Sequence, residues 1–196
     1  MSSTPEKPFA AAREFYAIIV DKLTNENGVH ANTAIAAAAR MAGTFLLRSF
    51  NLPLQNLEPG AAVFSDAAHE KGPFLIDLMS GVLQQMNVVI DPARAEAAQG
   101  QGDLPQLTVI ETQALVETDL SRIKDNYGLN YEQAAHAAAI ATAILIQKSS
   151  GVLDPHIGFS LAAYGFVEGS KTVPQRIKLP ASRTTAKKSW YKFWLL

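Results

Sequence analysis

Four histidines, His30, His69, His136 and His156, are the only imidazoles in the 196-residue chain. Three of them stand close to a carboxylate. Glu132 and His136 are four residues apart, and Asp66 and His69 are three apart with Glu70 alongside. Asp154 and His156 flank a proline. On a helix, residues three or four apart share a face, and helical bundles hold divalent metals through such side chains pointing inward. Glu132, His136, Asp66 and His69 therefore form the candidate metal set. His30, His69 and His136 form the candidate ligand-binding set. Neither pair is the Glu-x-x-His motif of the di-metal bundles: Glu132 and His136 have the wrong spacing, and Asp66 brings the shorter carboxylate to His69. His136 also lies in an alanine run from Ala134 to Ala139, where a histidine is more often a packed residue with one hydrogen-bond partner. The structural reading is preferred, no cofactor is expected, and no catalytic residue is assigned.

Other catalytic spacings are missing. There is no Gly-x-Gly-x-x-Gly, phosphate loop, His-Glu-x-x-His or Gly-x-Ser-x-Gly. The stretch Gly165 to Lys171 reads as a helix C-terminus with Gly169 as its stop. The chain has no cysteine, which removes disulfides, thiolate metal sites and iron–sulfur clusters and fits a reducing compartment. The N-terminus lacks a secretory pattern. The apolar runs 31–47 and 134–146, interrupted by Arg40 and His136, are too short to span a bilayer. A cytoplasmic location is expected.

The second chemical feature is the C-terminal segment. Lys187, Lys188, Trp190, Tyr191, Lys192, Phe193 and Trp194 interleave cations with aromatics. Seven basic residues and no acidic ones follow Glu168, so a body of charge −8 carries a segment of +7. Three destinations compete: nucleic acid, an anionic membrane surface, or a groove on this protein, a twin subunit or a protein partner. The acidic body opposes a polyanion, and a tethered segment sees its own domain at an effective concentration on the order of mM. Docking on the domain or on a partner subunit is preferred, and nucleic acid is disfavoured.

The elements that must position these residues are helical. Residues 1–8 read as disordered, 9–170 as one helical domain, and 171–196 as a basic and aromatic tail. The periodicity predicts helices from Pro8 to Asn25, His30 to Phe50, Gly72-Pro73 to Met86, Pro105 to Tyr127, Asn130 to Lys148 and Asp154 to Glu168. Ala93 to Gly102 reads as a mobile loop. Short extended pieces are expected at 61–64 and 88–90. The fold class is all-α, a single-domain bundle of about six helices. The two alanine-rich helices, apolar nearly all round, belong at its centre. A weak echo links Phe45-Leu46-Leu47-Arg48 with Leu145-Ile146-Gln147-Lys148, although ordinary helix punctuation accounts for it.

Low charge, apolar helices and the aromatic segment make a non-catalytic module the leading expectation. It would self-associate, by default as a homodimer, or bind a protein partner. The alternatives are a small-ligand- or metal-binding helical protein, enzymatic or not, built on a His/carboxylate cluster, and a peripheral membrane protein attached through the tail.

Overall fold

A computed structural model describes residues 6–176. The readings placed on residues 1–5 and on Lys187, Lys188, Trp190, Tyr191, Phe193 and Trp194 lie outside the described residues. Among those described, seven helices follow in order: α1 (Glu6–Leu23), α2 (Ala31–Ser49), α3 (Asp66–Gln85), α4 (Pro92–Ala97), α5 (Val109–Asn126), α6 (Tyr131–Ser149) and α7 (Pro155–Ser170). No β-ladder is present among them, only isolated bridges at Asn25–Gly28 and Ala62–Thr172. The protein is an all-α bundle, as the periodicity requires.

The alanine-rich helices α2 and α6 pack against each other at the centre. Every residue from Asn32 to Leu47 is buried, and α6 is buried along most of its length. Alanine side chains keep the two backbones close, and the other helices close over them. Exchanging α1 with α5, α2 with α6 and α3 with α7 leaves the main packing partners unchanged. Thus α1 and α3 cover α6, while α5 and α7 cover α2. Two of the three pairs match in length: α1 and α5 have 18 residues each and α2 and α6 have 19 each, while α3 has 20 and α7 has 16. Gly28 and Gly128, at equivalent turns, both take positive φ. The faint echo between Phe45–Arg48 and Leu145–Lys148 is therefore one part of a structural repeat, in which each half wraps the other's central helix.

Several boundaries differ from the sequence reading. Helix α3 begins at Asp66, so Gly72-Pro73 lies inside it and not at its start. Pro73 lacks the N–H that would reach the His69 carbonyl, but that turn is exposed, so the carbonyl is left to solvent. Helix α5 starts at Val109, four residues later than Pro105, because Thr108 and Glu111 form a capping box. The stretch read as a mobile loop holds all of α4 but Pro92, and the first N–H groups of that helix are capped by the Asp91 carboxylate. Asn130 and Gln133 form the expected capping box on α6.

Residues 171–176 do not leave the domain as a separate tail. Gly60 N–H donates to the Val173 carbonyl at 2.9 Å, Val63 N–H to that of Lys171 at 2.7 Å, and Val173 N–H to that of Ala61 at 2.8 Å. The extended piece expected at 61–64 thus finds a partner after α7. Leu47, Val63 and Val173 bury together there as a small second core.

Gly169 does not end α7. It lies within the helix and presses on α2. A Cβ placed on Gly169 would sit 2.0 Å from the Arg40 carbonyl oxygen, and one on Gly43 would sit 2.3 Å from that of Phe166. At Gly165 the Ala39 methyl would be 2.9 Å away. Gly158, Ala162, Gly165 and Gly169 recur at spacings of four, three and four, and all four are buried. This seam brings the α7 and α2 backbones into direct contact.

Candidate functional site

The candidate metal set does not assemble. Asp66 and His69 are exposed on the first turns of α3. Glu132 accepts a hydrogen bond from Lys71 Nζ at 2.7 Å, which holds its carboxyl below the ordinary range. His136 instead packs its ring on Phe74, with centroids 5.0 Å apart and planes at 52°. Among the described residues no three histidine or carboxylate side chains converge on a point that could hold a metal ion. The i, i+4 relation does put Glu132 and His136 on one face, but that face meets the Lys71 and Phe74 side of α3.

Partial burial lowers the His136 pKa below its ordinary value, Glu132 pulls the other way, and Lys71 lowers it again. The sign of the pH dependence follows. The unfolded chain takes up a proton near 6.5 that the folded state resists, so stability present above that pH is lost as the pH falls from there through the lowered folded value. Denaturant titrations at about pH 8 and about pH 5.5 should show this loss, and His136→Gln should show a smaller one. An identical acid loss in both proteins would assign the effect elsewhere.

His30 does line a cavity, of about 470 Å³, with Asn25, Asn27, Asn32, Asp103 and Gln106. It stands at the N-cap of α2 without bonding the helix N–H groups. Its Nδ1 lies 2.7 Å from Thr33 Oγ1, which also accepts the Gln106 N–H at 3.0 Å. The Thr33 hydroxyl thus holds the imidazole ring through Nδ1. Nε2 lies 3.8 Å from Asp103 Oδ2. Thr33 does not line the cavity, so it orients His30 and is not presented to a ligand.

His156 has a closed set of partners. Nε2 accepts the Asp91 N–H at 3.2 Å, so Nδ1–H donates to Asp154 Oδ1 at 2.8 Å. The His156 backbone N–H, which donates to the same Oδ1 at 2.8 Å, and then the ring bond hold the Asp154 carboxyl below its usual range. The residue ties the start of α7 to the turn before α4.

The largest polar assembly was not singled out from the sequence. Arg40, Thr44 and Arg48 stand at i, i+4 and i+8 on α2, and Gln113, Glu117 and Ser121 repeat that spacing on α5. Gln113 Nε2 donates to Thr44 Oγ1 at 3.0 Å, and Arg48 Nε to Glu117 Oε1 at 2.5 Å. Arg48 Nη2 donates to the Gln175 carbonyl at 2.7 Å. Arg40 donates to Glu168 Oε2 at 2.7 Å and to the Leu107 carbonyl. Burial pushes the Glu117 carboxyl up despite its arginine partner. Ser121 Oγ is buried and has no hydrogen-bond partner among the described residues. The signal was available: two arginines four residues either side of a threonine form a polar stripe on an otherwise apolar helix. The network locks α2, α5, α7 and the 173–176 segment together, so its chemistry is cohesion.

Fold and sites together define a class: an all-α bundle of two interlocked three-helix halves, with a buried arginine seam and an imidazole-lined cavity. No family model matches the chain, and no curated protein or solved structure is detectably similar to it. Among the described residues no helix is long and apolar enough to cross a membrane.

Proposed function

We propose that this protein is a non-catalytic helical module that docks against another protein surface, with a second copy of itself as the occupant. The outward side of α7 carries the reading. The helix has one acidic or basic residue besides His156, namely Glu168, and that carboxylate is turned onto Arg40. What faces outward is uncharged: Tyr164 is 65% exposed and Val167 44%, with Leu161 half-buried between them and the helix start. Other exposed apolar side chains flank the same helix. Val152 precedes it, and Phe64 adjoins the strand-like pairing just after it. Surface helices ordinarily oppose an apolar stripe with a charged one, and large exposed apolar patches mark interaction sites. An isologous pair brings the same patch of both copies together, so a patch of one charge sign faces its like. Like charges there would repel, and this face carries none. A reducing, cytoplasmic setting suits a cysteine-free chain.

Sedimentation and native mass spectrometry should find a dimer at micromolar protein, converted to monomer by Leu161→Glu with Tyr164→Glu at unchanged helix content. A wild-type monomer would overturn the reading. A small-ligand site at His30 is a second reading, supported by its place on the wall of a cavity that Asn25, Asn27, Asn32 and Gln106 also line. The same mass spectrum tests it, through a co-purified small molecule that His30→Ala abolishes.

A further inference from the structure

Independently of how α7 is used, we propose that the aromatic stretch 190–196 docks intramolecularly in an apolar groove beside Arg176. The groove has a volume of about 660 Å³ and lies between the C-terminal end of α2, the 51–59 loop and residues 173–176. Its walls include Leu47, Leu52, Leu54, Leu57, Tyr131 and Val173. Its size falls within the range of pockets that enclose compact ligands. Leu57, on its rim, is 44% exposed.

The occupant follows from where the described chain stops. Arg176 lies on the groove wall, tied to the loop by a 2.9 Å hydrogen bond from Nη2 to the Gln55 carbonyl. Twenty residues follow, and Trp190 is the fourteenth of them. An extended chain of that length reaches on the order of 45 Å, far more than a groove it starts beside requires. Proximity sets its effective concentration on the order of mM, above the micromolar concentration of a second copy, which favours the intramolecular arrangement. Charge decides which part enters. The two cations at the groove are Arg48, paired with Glu117, and Arg176, so the lysines of the segment gain nothing there. Trp190, Tyr191, Phe193 and Trp194 match the aliphatic walls, while Lys187, Lys188 and Lys192 stay in water.

Trp190 and Trp194 are the only tryptophans in the chain, so intrinsic fluorescence reports on this segment alone. The full-length protein should show emission blue-shifted from that of free tryptophan and unchanged on dilution. Leu54→Arg with Leu57→Arg should return it to the free value without loss of helical circular dichroism. If that double variant loses helix content, Leu57→Gln alone, at a position already partly exposed, should give a partial red shift in a folded protein. Wild-type emission like that of free tryptophan would overturn the proposal. So would a blue shift that survives the groove substitutions in folded protein. A blue shift lost on dilution would overturn it too, by assigning the segment to a second copy.

Discussion

Gly169→Ala should destabilise the protein by about 3 kcal/mol or more, the upper end of overpacking costs. Helix propensity alone argues the opposite, since alanine in a helix interior is favoured over glycine by about 1 kcal/mol. Sterics win because the added methyl meets backbone and not a flexible side chain. It would lie 2.0 Å from the Arg40 carbonyl oxygen and 2.9 Å from the Thr44 nitrogen. Neither atom can move without shifting α2, which is packed against α6 on its other side. Separating α7 from α2 would also strain the bond between Arg40 and Glu168. Gly81→Ala in α3 is the matched control: nothing lies within 4 Å of its added Cβ, so it should be neutral or stabilising by up to about 1 kcal/mol. Urea denaturation of the two variants separates the effects. Equal stability for both would mean that α7 does not touch α2 through Gly169.

Arg48→Met should cost about 3–5 kcal/mol at neutral pH, because it strands a buried carboxylate. Glu117 is only 3% exposed, and among the described residues its charged partner is the Arg48 guanidinium, at 2.5 Å. The pH dependence has a definite sign. Glu117 already has a raised pKa in the folded state, so the folded protein holds a proton that the unfolded chain releases near 4.5. Its contribution to stability is therefore fully present below 4.5 and lost as the pH rises through the folded value. Removing Arg48 takes away the one influence that lowers that value. The deficit of the variant should thus shrink on acidification, when the carboxyl is neutral, and grow towards neutrality. Glu117→Gln should cost less, since Arg48 is partly solvated and keeps the Gln175 carbonyl. Unfolding free energies measured across this range test the assignment, and a pH-independent deficit for Arg48→Met would sink it.

The burial of 31–47 and 134–146 followed from alanine runs with almost no polar face, and it dictated the central pair. The cap of α6 was legible because Asn130 and Gln133 have the spacing at which two side chains satisfy two helix-end N–H groups. The cap of α5 was equally local, yet Pro105 drew the boundary away from Thr108. At Gly72-Pro73 the local rule failed, because a proline costs one hydrogen bond wherever water can take the freed carbonyl. Gly169 resembled a helix stop, since the sequence does not say whether a glycine is needed for its φ or for the space above it. Asp66, His69, Glu132 and His136 had the right chemistry and the right helical faces. Lys71 and Phe74 reached Glu132 and His136 first.

Local composition and periodicity determined which segments are helical, which two must be hidden from water, and where several helices begin. These depend on backbone hydrogen bonds and on patterns within a few residues. Tertiary structure alone decided that the halves interlock, that glycines on α7 meet carbonyls of α2, that Arg48 faces Glu117 and that His30 lines a cavity. Each of those is a contact between residues some 60 to 130 positions apart, set by the relative rotation of helices, which no short window of sequence encodes.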